Sequence, residues 1–467
     1  MTMWSPEIEE KIGPRYLAIA DAIERDVSSG TLPEGARLPT HRELAERLGV
    51  TVGTVTRGYA EAERRGLTVG EVGRGTFVRS RLAPDDFGWR EAAQAAAPGL
   101  IDMSLACPWV PPDGSDGREL ARTLAELASG PVPDDLLRYD PATASPRQRA
   151  AAAEWLGGLG LEVSPDRVVV TSGAQHALTV ILASFLENGD LLATAELTYP
   201  GLKAVARMLG VRLRGIEMDG EGIVPAALDE ACEGARVTAL YCVPTLQNPT
   251  GATMSEERRR AIAEVAERRG LVVIEDQIHV SFHDPALLPI AAFAPERTLH
   301  LTTLSKWVAF GLRVGFVVAP ERWVERLRSG VRSSLWQPPP LMVEVATRWI
   351  GDGTAERMGR RKLVELEARH RLVREVFGDD FEVETSRHAL HVWVHLPEPQ
   401  RSSECVVEAR RRGVLVAGAE AFVVGREVPP AVRVSIAQVP EREDVRRGLE
   451  ILREVFLGRS DPYAQIL

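Results

Sequence analysis

The sequence predicts an α/β protein in two modules, a small helical module that ends in a β-hairpin and a large domain with a mostly parallel sheet. Three observations predict it. The chain has 467 residues, more than one ordinary domain contains. Before residue 80 the apolar residues recur at helical spacing, whereas from about Leu100 short apolar runs alternate with helical stretches. Such alternation is typical of a parallel sheet that helices cover on both faces.

The N-terminal module, residues 10–80, begins with three predicted helices. Apolar residues at helical spacing predict the first helix over residues 14–28. Thr40 opens a capping-box pattern, which predicts a second helix that ends near Gly49. Thr51 can then cap a third helix. Two short helices joined by a turn that contains glycine are typical of a helix-turn-helix.

A predicted hairpin follows these helices, and the surrounding charge is positive. Residues 67–78 read as two strands around Gly73-Arg74-Gly75, which is the position of a wing. Residues 37–81 hold nine arginines and five glutamates, a local charge of +4 in a chain whose net charge is −10. One basic face of this kind suits contact with phosphates. A solvated helix surface is the alternative explanation of the charge.

Residues 14–79 resemble the winged helix-turn-helix of GntR-type regulators, through the run GTLPEGARLPTHRELAERLGVTVGTVTRGYAEAERRGLTVGEVGRGTFV. The resemblance implies binding to double-stranded DNA at an operator. The residues that it implies for DNA binding are Arg37, Thr40, Arg42, Thr51, Thr54, Arg57, Arg74, Gly75 and Thr76. Relatives often have arginine directly after the residue that opens the recognition helix, where this chain has Val52. A module that contacts other proteins is the alternative.

Residues 81–99 predict a linker between the two modules, because Pro84 and Pro98 bracket a short helical patch. A linker of this length would let the N-terminal module lie away from its own large domain, against a partner subunit.

The remaining composition predicts the compartment. No apolar run approaches the roughly 20 residues of a membrane span, and the first residues lack the pattern of a secretion signal. The four cysteines never form a C-x-x-C pair. We therefore expect a cytoplasmic protein with reduced thiols, no membrane partner and no metal site.

Three polar motifs of the large domain stand at the ends of predicted strands. Thr171-Ser-Gly-Ala-Gln175 lies between the strand VVV and a helix predicted over residues 177–186, a turn that can seat a phosphate. Asp276 ends the strand VVIED and could keep a pyridine nitrogen protonated. Lys306 follows another apolar strand, and Arg313 comes seven residues later, where it could chelate a phosphate. Each motif alone has an ordinary explanation as a common turn, a helix cap or a surface charge.

With Asn248-Pro-Thr-Gly251 among them, the motifs resemble fold-type I pyridoxal-phosphate enzymes of aminotransferase class I/II, across residues 100–462. The resemblance implies pyridoxal 5'-phosphate as the cofactor, a mostly parallel mixed sheet and a smaller C-terminal α+β subdomain. It implies Lys306 as the lysine that bonds the cofactor and Asp276 as the partner of its ring nitrogen, the catalytic pair. The further cofactor-binding residues that it implies are Ser172, Gly173, Ala174, Gln175, Tyr199, Asn248, Thr303, Ser305 and Arg313, with Tyr139 across a dimer interface. Arg433, with Asn248, is implied to bind a substrate carboxylate.

The sequence departs from these relatives at two places. Relatives usually have a tyrosine two or three positions after the aspartate, where this chain has Ile278 and His279. His279 could replace one hydrogen bond of that tyrosine, and an ordinary buried histidine is the alternative. Ala106-Cys107-Pro108 stands where relatives often have Gly-x-Pro, which predicts a narrower substrate entrance.

Together the two modules resemble the MocR subgroup of GntR regulators. The resemblance implies a homodimer whose aminotransferase-like domain senses an amino compound or the cofactor itself and controls the DNA-binding module. A ligand that displaces Lys306 could do so only if the two states of the domain bind it differently. A working aminotransferase with a secondary DNA-binding module is the alternative, because Lys306, Asp276 and Arg433 suffice for that chemistry. An interaction scaffold without either activity is a third hypothesis.

Overall fold

The computed structural model describes residues 4, 6, 14–28, 31–32, 36–64, 67–71, 75–78, 99–279, 287–425 and 427–458. The chain divides into two compact units, and the division at residues 86–87 falls within the predicted linker. That linker, except Gly99, and the predicted wing-tip residue Arg74 lie outside the described residues. Among the described residues, no helix is both long and apolar enough to cross a bilayer.

The first unit has the predicted three helices and hairpin. Its elements are α1 (Arg15–Ser28), α2 (His41–Leu48), α3 (Val52–Arg64), β1 (Thr68–Glu71) and β2 (Gly75–Val78). The two strands are antiparallel. Side chains from all three helices, among them Ile19, Leu44 and Val55, form the core of this unit. Gly58 allows α1 and α3 to pack closely, since a Cβ there would lie 2.9 Å from Ile19.

A seven-stranded sheet forms the centre of the second unit. Its strands, in spatial order, are β4 (Val168–Thr171), β12 (Gly315–Val318), β11 (Thr298–Thr303), β10 (Val272–Asp276), β9 (Val237–Cys242), β5 (Leu191–Ala195) and β6 (Arg212–Ile216). All pairings are parallel except those of β12, which runs antiparallel to both neighbours. The carboxyl ends of β4, β10 and β11 therefore meet at one edge, where α/β sheets collect their ligands.

Helices cover both faces of this sheet, as the near-continuous apolar strands require. On one face Leu178, Leu202 and Leu327 pack against alternate strand residues such as Ile274. On the other face the helices contribute a separate cluster that includes Ile262. The helices that form these layers are α5 (Pro146–Gly158), α6 (Ala174–Phe185), α7 (Pro200–Leu209), α8 (Pro225–Gly234), α9 (Glu256–Arg269), α10 (Ile290–Phe293), α11 (Glu321–Leu335) and α12 (Pro340–Gly351), with α4 (Ser115–Ser129) before them.

A smaller four-stranded antiparallel sheet completes the second unit. Its order is β13 (Val383–Glu384), β14 (His391–His395), β17 (Ala431–Ser435) and β16 (Ala417–Gly418). The short strands β3 (Ile101–Asp102) and β15 (Val414–Leu415) pair beside it, and β7 (Met218–Asp219) pairs with β8 (Gly222–Ile223). The helices around the small sheet are α13 (Thr354–Phe377), α14 (Ser402–Arg411) and α15 (Arg442–Phe456). This is the smaller α+β part that the resemblance implied.

Candidate functional site

The large sheet opens at its carboxyl edge into a cavity of about 350 Å³. The cavity is lined by Ala174, Gln175, Leu178, Tyr199, Asp276, Ile278, Thr303, Ser305, Lys306, Phe310 and Arg313. Eight of these eleven residues are predicted cofactor-binding residues, drawn from segments that are up to about 140 positions apart in the chain. The strand order places them together, because β4, β10 and β11 all end at this edge.

The turn at Gly173 and the arginine at position 313 form one end of the cavity. A Cβ added at Gly173 would lie 2.7 Å from Nη2 of Arg313, so only glycine allows this approach. Both residues have positive φ angles, +81° for Gly173 and +52° for Arg313. The helix α6 begins at Ala174, three residues earlier than predicted, because the chain turns into the helix directly after Gly173. The first N–H groups of α6 therefore lie beside the guanidinium, an arrangement that suits a phosphate.

Thr303 and Ser305 brace this end of the cavity. The hydroxyl of Thr303 donates to the carbonyl of Val314 at 2.7 Å, and it accepts the backbone N–H of Ser305 at 3.2 Å. Ser305 in turn lies 3.5 Å from Nη1 of Arg313. Thr303 thus fixes the turn, whereas Ser305 and Arg313 remain the groups that can face a phosphate.

Asp276 lies buried at the end of β10. Tyr241 on the neighbouring strand donates its hydroxyl to Oδ2 at 2.7 Å, and the N–H of Ile278 donates to Oδ1 at 3.2 Å. Burial raises the pKa of Asp276 to about 6, and these two hydrogen bonds oppose that rise. A carboxylate held in this way would gain from a cationic partner such as a protonated ring nitrogen.

Lys306 lines the same cavity as Asp276. Its Nζ donates to the carbonyl of Ala106 at 2.6 Å and lies 5.8 Å from the centre of the Phe310 ring. Burial lowers the pKa of Lys306, and the nearby charge of Arg433 acts in the same direction. The neutral amine, which is the nucleophilic form, is therefore favoured relative to a lysine in water.

Tyr199 and Gln175 border the cavity near the glycine turn. The Tyr199 hydroxyl donates to the side-chain oxygen of Gln175 at 3.1 Å, and Nε2 of Gln175 donates to the carbonyl of Gly201. Burial raises the pKa of Tyr199 to about 12, so its ring stays neutral. Both residues are thereby held in place as walls of the cavity.

Arg433 reaches the same region from the small sheet. Its Nη1 donates to Oδ1 of Asn248 at 2.8 Å, its Nη2 donates to the carbonyl of Ser104, and its guanidinium lies 4.8 Å from the Phe422 ring centre. Only its Nε has no hydrogen-bond partner in the described part of the chain. The structure therefore brings together Arg433 and Asn248, the two residues implied to bind a carboxylate.

Two buried histidines lie beside these groups. The rings of His279 and His391 are 6.1 Å apart in a T-shaped arrangement. Nδ1 of His279 and both ring nitrogens of His391 lack hydrogen-bond partners among the described residues. Burial lowers the pKa of both imidazoles, which keeps them neutral. Unpaired buried nitrogens of this kind usually await a ligand or water.

These features fit pyridoxal phosphate. The close approach of Gly173 to Arg313 leaves a cradle that a single Cβ would fill, and it adjoins the N-terminus of α6. The buried carboxylate of Asp276 and the amine of Lys306 suit the ring nitrogen and the aldehyde. Asn248 and the unpaired nitrogen of His279 supply polar atoms in the same region.

Tyr139 lies apart from the cavity of its own chain. It is 46% exposed and packs edge to face on Trp336, which is 69% exposed. The sequence implied a role for Tyr139 across a dimer interface, and its exposure leaves it available to another molecule.

Sequence reasoning missed four contributors to the site. Tyr241 contacts Asp276 because it faces the same side of the sheet on the next strand, a register that the sequence did not reveal. His391 comes from the small sheet, and the carbonyls of Ser104 and Ala106 are backbone groups with no side-chain signal. An apolar strand with one tyrosine was the only available sign of Tyr241.

The helix α3 of the first unit presents an exposed polar face. Thr51, Val52, Thr56 and Arg57 are exposed on it, while Val55 faces the core. The hydroxyls of Thr51 and Thr54 lie 2.9 Å apart, and Thr51 accepts the N–H of Thr54, which caps the helix. The predicted recognition helix therefore has the expected orientation, with Val52 at its exposed start.

Arg37 adjoins the hairpin. Residues 36–38 pair with β2, because the N–H of Leu38 donates to the carbonyl of Thr76 and the N–H of Val78 donates to the carbonyl of Ala36. A Cβ at Gly75 would lie 3.0 Å from Nε of Arg37. Arg42 is exposed on α2, and Thr40 forms the predicted capping box, with its hydroxyl accepting the N–H of Glu43. The hydroxyl of Thr40 thus already has a structural partner.

Two family models match the chain. Residues 130–452 match the model described as aminotransferase class I and II, and residues 15–78 match the one described as bacterial regulatory proteins, gntR family. The first match spans more than half of the chain.

Similar proteins include transcriptional regulators and aminotransferases. The chain is 32% identical over 456 residues to the uncharacterised HTH-type transcriptional regulator YdeF of Bacillus subtilis, covering 97% of this chain and 96% of that one. It is 26% identical to the HTH-type pyridoxine biosynthesis transcriptional regulator PdxR of Corynebacterium glutamicum, covering 77% and 78%. Among solved structures, an archaeal alanine:glyoxylate aminotransferase superposes with a TM-score of 0.73 at 23% identity, covering 86% of this chain and 100% of that one.

Proposed function

Because the chain belongs to the GntR-family regulators that carry an aminotransferase class I and II domain, the MocR-type architecture, we propose that it controls transcription in response to an amino compound bound beside Lys306. One observation carries the proposal. Lys306, Asp276 and Arg313 line one cavity, with Arg433 nearby, in a chain whose other unit is a DNA-binding module.

Each group around the cavity has a defined task in this proposal. When bound, pyridoxal phosphate supplies an aldehyde that reacts with amines and a ring that withdraws electrons. Arg313, Ser305 and the turn at residues 172–175 would hold its phosphate, and Asp276 would hold a proton on its ring nitrogen. Lys306, with its lowered pKa, would present a neutral Nζ and could move a proton there.

Arg433 determines the class of ligand in this proposal. Its guanidinium is buried, with a pKa that burial lowers to about 10, and Asn248 orients it. A buried arginine of this kind is stabilised by a carboxylate, which accepts two parallel hydrogen bonds. We therefore expect an effector that carries both an amine and an acid group.

The first unit would read an operator. Arg37, Arg42 and Arg57 would contact phosphates or bases, and Thr51 and Thr54 would lie at the start of the recognition helix. Gly75 and Thr76 belong to the hairpin that would enter the adjacent groove.

We further propose that the regulator acts as a homodimer. Leu137, Tyr139 and Trp336 leave large apolar side chains exposed on one stretch of the second unit, with exposures of 87%, 46% and 69%. A second copy that covers them would remove this apolar area from water. Tyr139 could then reach the partner's cofactor.

The deciding experiment is DNA retardation with the upstream region of the protein's own gene. We expect the wild-type protein to retard this DNA. The protein concentration that retards half of the DNA should change when pyridoxal phosphate and amino acids are added. Lys306→Ala should still bind DNA but lose the response, whereas Arg57→Ala should weaken binding at every ligand concentration. The proposal would be contradicted if none of these ligands changed the concentration of wild-type protein that retards half of the DNA.

A catalytic role is the second candidate, because Lys306 and Asp276 line one cavity and Arg433 lies close enough to act on the charge of Lys306. Incubation with amino acids and a keto acid tests it. Steady turnover that Lys306→Ala abolishes would favour a working aminotransferase. Half a turnover per site, without a second cycle, would favour sensing alone.

A further inference from the structure

One segment of backbone contacts both functional cations of the cofactor site. The segment comprises residues 102–109, and we name it the strap. Its carbonyl at Ser104 accepts Nη2 of Arg433, and its carbonyl at Ala106 accepts Nζ of Lys306 at 2.6 Å. The two cations that a ligand needs are therefore already occupied by the same short stretch of chain.

The two ends of the strap are held differently from its middle. At the start, Met103 hydrogen-bonds to Leu415 and Ser435 through its backbone. At the end, Nζ of Lys362 donates to the carbonyl of Trp109 at 2.8 Å, and the Trp109 indole donates to the carbonyl of Pro440.

Between these anchors the hydrogen bonds from other segments are few. In the described part of the chain, the hydrogen bonds from other segments to residues 104–108 are those of Arg433 and Lys306. The remaining ones are local, from Ser104 to the side chain of Asp102 and from Cys107 to the carbonyl of Leu105. The two functional cations therefore hold the middle of the strap together with the apolar packing of Ala106.

We propose that the strap reports the occupancy of the site: a ligand that takes Arg433 and Lys306 releases residues 104–108 from both contacts. The inference deepens the proposed function, on which it rests, by naming the element that regulation moves. An acid group on the effector competes with the Ser104 carbonyl, and the cofactor competes with the Ala106 carbonyl. The cofactor and an effector with an acid group together release both contacts, whereas either one alone leaves one contact in place.

The place of the strap in the chain makes this release relevant to DNA binding. The strap begins three residues after Gly99, which ends the predicted linker from the first unit. Only the short strand β3 and the anchored Met103 separate the middle of the strap from the end of the linker. A regulator needs such a two-state element whose balance the ligand shifts.

Cys107 provides a native probe of the strap. It lies in the middle of the strap and is partly buried, whereas Cys242 and Cys405 are buried elsewhere. Burial raises the pKa of the Cys107 thiol, and the charges of Lys306 and Arg433 oppose that rise. Loss of either cation would therefore raise the pKa of the Cys107 thiol further and slow its reaction with maleimide. Faster labelling in such a variant therefore reports greater exposure of Cys107.

The experiment measures the rate at which maleimide labels Cys107, mapped by mass spectrometry in the full chain on a Cys232→Ser background. We expect Arg433→Met and Lys306→Met each to raise the rate roughly tenfold, the order expected for loss of one charge-assisted hydrogen bond. Pyridoxal phosphate should raise it in wild type but not in Lys306→Met. Arg167→Met removes an arginine that donates to the carbonyls of Ala319 and Pro295, away from the strap, and should change nothing.

The outcomes separate the two proposals. Unchanged or slower labelling in both strap variants overturns the inference about the strap, even if DNA binding still responds to ligand. Faster labelling of Cys107 in both strap variants supports the inference about the strap. If the affinity for DNA then fails to respond to ligand, only the proposed function is contradicted.

Discussion

The Gly173 end of the cavity and the polar groups beside the cavity differ in how completely they are paired. At the Gly173 end, Thr303 and Ser305 hydrogen-bond to each other and to the backbone, and Arg313 packs against Gly173. Beside the cavity, Arg433 and the two histidines leave nitrogens without partners among the described residues. Asp276, which lines the cavity, has a raised pKa.

The difference indicates where ligand binding gains free energy. A buried polar atom left unpaired costs about 1–3 kcal/mol, so the region of Arg433, His279 and His391 weakens the folded state until a ligand supplies partners. The Gly173 end has no such cost, and we propose that it is a preformed seat for the phosphate. The first region therefore gains stability when a ligand binds, whereas the second is stable without one.

The largest expected effect is on the stability of the cofactor-free protein. The pKa of Asp276 is about 6 in the folded state, above its ordinary value of 3.8, so ionisation opposes folding. Above pH 6 the loss of stability from ionised Asp276 is fully present, and it disappears as the pH falls towards 4. We expect Asp276→Asn to raise the free energy of unfolding by about 3 kcal/mol at pH 8, from two pKa units, and by little at pH 4. Denaturant titrations at the two pH values measure it.

A matched aspartate should respond with the opposite sign. Hydrogen bonds from Arg258 lower the pKa of Asp219, so its ionised form stabilises the fold at neutral pH. Asp219→Asn should therefore lower stability at pH 8. If both variants lose stability at pH 8, the raised pKa of Asp276 is contradicted.

The second effect concerns the preformed seat. Gly173→Ala places a Cβ against Arg313, and we expect it to weaken affinity for pyridoxal phosphate roughly tenfold or more. Gly189 has a similar φ of +92° but no atom within 4 Å of an added Cβ, so Gly189→Ala strains the backbone without touching the site. Fluorescence titration with the cofactor measures both. Equal losses of affinity would mean that the approach to Arg313 is unimportant.

The smallest effect compares two buried histidines. Among the described residues, neither ring nitrogen of His391 has a hydrogen-bond partner of normal geometry, and the Gln247 backbone only partly offsets its burial. We therefore expect His391→Leu to stabilise the cofactor-free protein by about 1 kcal/mol. Nε2 of His370 is paired with the carbonyl of Ala389 at 2.8 Å, so His370→Leu should destabilise it by a similar amount. Thermal unfolding without ligand measures both variants. A loss of stability in His391→Leu would show that its imidazole is already satisfied.

Much of the fold could be predicted from apolar runs. Six of the seven strands of the large sheet coincide with runs such as VVV and VVIED, and their ends located Asp276 and the turn at Gly173. The strand β6 was missed because RLRGI alternates arginine with apolar residues at the sheet edge. The three helices and the hairpin of the first unit followed from their caps and glycines.

The rest depends on contacts between distant segments. The hydrogen bond from Tyr241 to Asp276 requires the strand order and register, and the hold of Arg433 on Ser104 joins positions 329 residues apart. Backbone carbonyls such as that of Ala106 carry no sequence signal at all. The motifs of the two families identify side chains that are expected to contact the cofactor. They do not identify the groups that hydrogen-bond to those side chains when the cofactor is absent.

The most direct test of the account is to find which lysine holds the cofactor. The chain has only four lysines, at positions 11, 203, 306 and 362. Lys203 donates to the carbonyl of Ala421 and Lys362 pairs with Asp116, whereas Lys306 faces the cavity. After incubation with pyridoxal phosphate and reduction with borohydride, peptide mapping should find the cofactor on Lys306, in one copy per chain. A cofactor fixed on another lysine, or on none, would contradict the assignment of this cavity.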